Sequence, residues 1–137
     1  MGFANLEDLL AIENEIKWED RDLPSTLFGL LSRTAHLFPN RPAVSYQILS
    51  GPKDKAETLT WSELHTKTIQ AANMFHSLGV GSEDVVAYIL PNANETVLTL
   101  LGGAIAGIAN PINPLLDPEQ IGAILRETNA KVEGFGL

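Results

Sequence analysis

Cysteine is absent from all 137 residues. That single absence removes disulfides, thiolate metal sites and cysteine nucleophiles together. Basic residues are scarce: nine Lys and Arg stand against seventeen Asp and Glu, a net charge of −8. An acidic chain tracks a phosphate backbone poorly, so nucleic acid is not an expected partner. Only three histidines occur, His36, His65 and His76. None has a neighbour at metal-ligand spacing, which argues against a zinc site. Two fall within predicted helices, where a solvated or capped surface histidine is the simple reading.

Long apolar runs are lacking too. The longest, Val97 to Ala109, is broken only by Thr99 and spans 13 residues. A bilayer crossing needs roughly 20, so no membrane span is expected. The N-terminus shows neither a basic opening nor a long apolar stretch, and so reads as no secretory signal. Met1-Gly2 suggests myristoylation, but Leu6 stands where that pattern wants Ser or Thr. These absences together predict a cytoplasmic protein.

What is present is an ordinary globular balance, 45% hydrophobic and 19% charged. The acidity is uneven. Between Glu7 and Asp22 seven acids stand against Lys17 and Arg21, a local net of −5. Residues 1–24 therefore read as an acidic N-terminal extension, with a short helix through Leu6, Leu9, Leu10 and Ile12. A solvated face explains its charge more simply than a docking surface does.

Residues 25–137 read as one incomplete α/β subdomain. Ser25 and Thr26 can cap a helix carrying Leu27, Leu30, Leu31 and Ala35, with Pro39 beyond its end. Ala43 to Ile48 reads as a strand, Gly51-Pro52-Lys53-Asp54-Lys55 as a turn, and Glu57 to Thr60 as the returning strand of a hairpin. Thr60-Trp61-Ser62-Glu63 fits a capping box. Apolar residues then recur at helical spacing to Leu78, and Gly79 stops the helix. Val85 to Leu90 has the continuous apolarity of a parallel strand covered on both faces. Asn92-Ala93-Asn94-Glu95 resembles a second capping box, opening an apolar helix that Gly107 ends. Its Gly103 and Gly107 predict close packing against a strand. Ile108 to Ile112 reads as a strand. Asp117-Pro118-Glu119-Gln120 starts a further helix, with Asp117 as cap and Pro118 in the first turn, ending near Asn129. Lys131-Val132 begins one more strand. The order from Glu57 onward alternates strand and helix, which predicts a parallel sheet with right-handed crossovers. The expected fold is thus a parallel βαβαβ unit preceded by a helix and a β-hairpin.

Ligands on such sheets sit beyond the C-terminal strand ends. Here those ends are Pro91-Asn92 and Asn113-Pro114-Leu115-Leu116. Both lead into helix N-termini, whose free amides could meet a phosphate or a carboxylate. Helix capping alone explains the same residues, since every such fold needs caps. Motifs that carry chemistry are missing. Gly79-Val80-Gly81-Ser82-Glu83-Asp84 lacks the third glycine of a dinucleotide loop and follows a helix. No glycine-rich loop ends in Lys-Ser or Lys-Thr, and there is no Gly-x-Ser-x-Gly elbow. The adjacent carboxylates Glu83 and Asp84 fall in a turn, where solvation explains them. The chain contains no active site by itself.

Several segments nevertheless resemble one family. Leu59-Thr60-Trp61-Ser62-Glu63-Leu64 is similar to the T-[YW]-x-E-L segment of the adenylate-forming superfamily. Leu78 to Ala87 resembles its LGV-x-x-GD-x-V segment, and Leu90-Pro91-Asn92 with Glu95 its P-N-x-x-E. Gly107 to Pro114 resembles G-x-x-x-x-P-[IL]-N-P, and Pro118 to Ile121 the helix after it. Phe38 to Ala43 fits the opening. These segments occur in order over residues 25–132. The Asn110-Pro111-Ile112-Asn113-Pro114 form is closer to AMP-forming acyl-CoA synthetases than to peptide-synthetase adenylation domains. The resemblance implies a two-step reaction. A carboxylate attacks ATP to give an acyl-adenylate and pyrophosphate, and the CoA thiol then displaces AMP. It implies ATP with Mg, and CoA, as cofactor and second substrate of the full enzyme, in a setting such as fatty acid metabolism. It implies no catalytic residue in this chain, because the phosphate loop and catalytic lysine of the family lie downstream. It places Asn113, Pro114 and Leu115 beside the CoA path.

Two departures stand out. Ser82-Glu83-Asp84 replaces the usual Gly-Asp. Glu133-Gly134-Phe135-Gly136-Leu137 replaces an apolar strand, as an interrupted reading frame would. The expectation is an N-terminal fragment without activity of its own, tending to associate with itself through uncovered apolar surface and strand edges. The alternative is a stand-alone α/β binding or self-association module without catalysis.

Overall fold

A computed structural model describes residues 4–49, 51 and 53–135. Pro52 of the expected turn, Met1-Gly2, and the closing Gly136-Leu137 lie outside the described residues. The chain runs through α1 (Leu6–Glu15), a 3₁₀ turn at Trp18–Asp20, and α2 (Leu27–Leu37). The hairpin β1 (Pro42–Tyr46) and β2 (Glu57–Thr60) follows, then α3 (Trp61–Ser77). Next come β3 (Val85–Ile89), α4 (Asn94–Ala106), β4 (Ile108–Pro111), α5 (Pro118–Thr128) and β5 (Val132–Phe135).

Local chemistry sets most of the helix starts. Asn5, Thr26, Thr60 and Asp117 each accept a backbone N–H two or three residues into their helix. Thr60–Glu63 and Asp117–Gln120 form complete capping boxes. Gly79 takes φ +86° just past α3, a conformation that glycine adopts without strain. Asn129 does the same for α5 at φ 48°, as Asn tolerates better than most residues.

The box expected at Asn92–Glu95 does not form. Ala93 is the N-cap of α4 and offers no side-chain acceptor. Asn94 instead turns inward, 3% exposed, and its Nδ2 donates to the Glu57 carbonyl at 3.2 Å. The strand expected over Ala43–Ile48 is displaced to Pro42–Tyr46, and Ile48 is 82% exposed.

The described residues form two sheets. β1 and β2 pair antiparallel, with Tyr46 opposite Glu57. The second sheet is parallel, in the order β4-β3-β5. β2 therefore belongs to the hairpin alone. The alternation expected from Glu57 onward enters the parallel sheet only at β3. The Glu133-Gly134 stretch does form a strand: β5 pairs with β3, with Gly134 opposite Tyr88. A neighbouring apolar strand supplies the hydrogen-bond ladder that the local sequence does not predict.

β3 is buried on both faces, as its composition predicted. Val86 packs with Ala72, Phe75, Val80 and Ala106, the α3–α4 side. Val85 and Ala87 pack with Ile112, and around them lie Ile121, Ile124 and Leu125 of α5. The period-2 alternation thus assigns α4 and α5 to opposite faces. A third cluster, Leu31, Leu59 and Leu64, ties α2 and the hairpin to α3, with Val97, Leu98 and Leu101 of α4 against it. Burying each large side chain in such clusters contributes about 1.5–3 kcal/mol. Glycines permit the close approach of α4. A Cβ on Gly102 would lie 2.6 Å from Ala71 Cβ and 3.1 Å from the Ala72 nitrogen. Gly103 faces Val86, where a Cβ would find ordinary contact at 3.5 Å. The expected close packing is looser at Gly103 and tight at Gly107, where a Cβ would lie 2.5 Å from the Asp84 carbonyl oxygen just before β3, and Gly102 adds a close approach to α3.

Candidate functional site

The parallel sheet directs two loops to one edge, since β3 and β4 are adjacent and run the same way. The first joins β3 to α4 through residues 90–93. The second joins β4 to α5 through residues 112–117. Ile112 anchors the second loop: it is buried, and its N–H donates to the Tyr88 carbonyl at 2.9 Å. Asn113 Oδ1 then accepts the Leu115 N–H at 2.9 Å, and the Asn113 carbonyl accepts that of Leu116 at 3.3 Å. The Asn113 Oδ1 is thereby engaged in holding a turn. Leu116 packs toward the α5 cluster, while Leu115 is left 89% exposed. Pro114 is exposed beside it.

Both helix starts carry an acid in the first turn, Glu95 in α4 and Glu119 in α5, and they differ in capping. The first turn of α5 is closed by the Asp117 carboxylate, which accepts from Gln120 N at 2.9 Å. That acid already occupies the anion-binding end of the helix and repels a second anion. The start of α4 carries no side-chain cap. Of the two N-termini expected to offer amides, only this one is open. It borders a cleft of about 240 Å³ between the hairpin and α4, lined by Val44, Tyr46, Asn92, Asn94, Thr96 and Val97 among others. Thr96 Oγ1 donates to the Pro91 carbonyl across the loop. Asn94 Oδ1 is buried and meets no partner among the described residues. Tyr88, 4% exposed near the end of β3, has its phenol pKa pushed up by burial.

Neither loop carries a cation: residues 90–95 and 112–117 contain no Lys or Arg. Among the described residues no three His, Asp or Glu come together in a way that could hold a metal ion. The groups at this edge therefore do not fit a magnesium–triphosphate. They offer apolar surface at Pro114 and Leu115 and uncapped amides at the start of α4.

The histidines lie elsewhere. His65 Nε2 and Ser32 Oγ are 3.0 Å apart between α2 and α3, and Phe28 stacks on the imidazole at 5.8 Å between centroids. His76 Nδ1 donates to the Val80 carbonyl at 2.8 Å, closing the end of α3. The His76 contact is of the capping kind expected of a helical histidine, whereas the His65 contact joins residues 33 apart and nothing local marks it. The Asn94–Glu57 bond was missed for the same reason.

Comparison with known proteins follows the same boundaries. The pattern of the family described as AMP-binding enzyme matches residues 31–133. The marinolic acid–CoA ligase of a Pseudoalteromonas strain is 32% identical over 128 residues, 93% of this chain and 19% of that protein. The 4-coumarate–CoA ligase 1 of Arabidopsis thaliana is 35% identical over 86 residues, 62% of this chain and 15% of that protein. Among solved structures, a fatty acyl CoA synthetase of Mycobacterium tuberculosis superposes with a TM-score of 0.66 at 26% identity. It covers 77% of this chain and 20% of that one. The anthranilate CoA ligase AuaEII, in complex with anthranoyl-AMP, gives 0.69 at 26% identity over 88% of this chain and 22% of that one. The chain thus spans about a fifth of the length of these relatives.

Proposed function

Because the chain belongs to the family of AMP-binding enzymes, we propose that it is the N-terminal part of an ATP-dependent acyl-CoA synthetase. The whole enzyme would convert a carboxylic acid, ATP and CoA into acyl-CoA, AMP and pyrophosphate. The observation that carries this reading is the continuous match over residues 31–133, at a fifth of the relatives' length. Relatives described as CoA ligases and neighbours described as acyl-CoA synthetases support it in sequence and in fold.

The role of these residues is structural within that reaction. They build three strands of a sheet and present the loops at its C-terminal edge. The adenylation chemistry belongs to segments that follow in the family, and residues 1–137 are inactive alone. The absence of a phosphate loop from the sequence and of cations from both loops supports this. Asn113, Pro114 and Leu115 would border the CoA path. The exposed Leu115 and Pro114 suit an apolar contact with the pantetheine arm, and the turn held by Asn113 fixes their position. Mg and the nucleotide phosphates would be held elsewhere in the enzyme. No described helix is long and apolar enough to cross a membrane, and a cytoplasmic site of action accords with that.

The experiment is carboxylate-dependent exchange between ATP and labelled pyrophosphate. The 137-residue chain is expected to give no exchange above background with aliphatic or aromatic acids. Robust exchange by this chain would overturn the assignment of adenylation to downstream residues.

A further inference from the structure

We draw no further inference here: the strongest candidate, the cleft between the β1–β2 hairpin and the first turn of α4, rests on an uncapped helix N-terminus, and the one unpaired polar atom beside it, Asn94 Oδ1, is sealed from solvent so that no outside ligand reaches it.

Discussion

Gly102 and Gly103 are sequence neighbours with opposite packing. A methyl group on Gly102 meets Ala71 Cβ at 2.6 Å and the backbone of Ala72, and neither can retreat without moving α3. Gly102→Ala should cost about 1–3 kcal/mol of stability through overpacking. On Gly103 the nearest atoms are at 3.4 and 3.5 Å, ordinary contact distances. Gly103→Ala should be neutral or gain up to about 1 kcal/mol, because alanine favours the helix. Urea denaturation of the two variants checks the contrast, and equal effects would contradict the packing described. Glu63 gives a pH signature. Its carboxylate accepts from the Thr60 N–H and hydroxyl, both at 2.9 Å, and these bonds hold its pKa below the ordinary glutamate value. A depressed folded-state pKa stabilises the protein above the unfolded value, and that contribution is lost as pH falls through the folded one. Thermal melts from pH 6 to pH 3 should therefore show a steeper acid loss in the wild type than in Glu63→Gln. Parallel acid limbs would count against the capping box.

At the scale of elements, α1 contributes no buried residue. Arg21 holds it through the Ile12 carbonyl, and the extension meets α2 where Arg33 contacts both the Asp22 carbonyl and, at 3.1 Å, its exposed carboxylate. Exposed pairs of this kind contribute at most about 1 kcal/mol. Deleting residues 1–24 should leave the melting transition cooperative and shift its midpoint by only a few degrees. A large loss would show that the acidic extension is part of the fold. The α5 start is a stricter case, since Asp117 and Gln120 satisfy each other's backbone. Asp117→Ala should cost about 1 kcal/mol, the usual worth of an N-cap. These helix ends were legible because a cap and its partner lie within three residues. Elements whose partners are distant in sequence were less so. β2 returns on β1 as the local turn signals predicted, but it does not also open the parallel series, which starts at β3. β5 contains Glu133 and Gly134, poor strand formers, and forms because β3 offers an open edge. The start of α4 resembled a capping box at Asn92–Glu95, but the helix begins at Asn94, so Ala93 stands at the cap position and has no side-chain acceptor. At the candidate site the sequence located both loops from strand order alone. It also named Asp117 as the cap that closes one helix start, but it expected a box at the other, where Ala93 leaves the start open.

At the scale of the molecule, β4 and β5 are the outer strands of the parallel sheet, and their far edges pair with nothing among the described residues. Leu27, Phe28, Leu30 and Leu100 are each 39–45% exposed on α2 and α4. Uncovered edges and apolar surface favour association. Sedimentation velocity of the 137-residue chain should show a mass above the monomer that grows with concentration. A single monomeric species would argue that these surfaces are tolerated in water. In the full synthetase the same surfaces would be covered by the remaining four-fifths of the chain, judged from the lengths of the relatives. The central claim is that this chain is the first part of such an enzyme. It is tested most directly by reading the source locus beyond the codon for Leu137. The account predicts an open frame that continues into a Thr/Ser/Gly-rich loop ending in lysine. A native stop codon directly after Leu137 would contradict it, and would favour a separate α/β module whose binding of CoA or ATP must be measured directly.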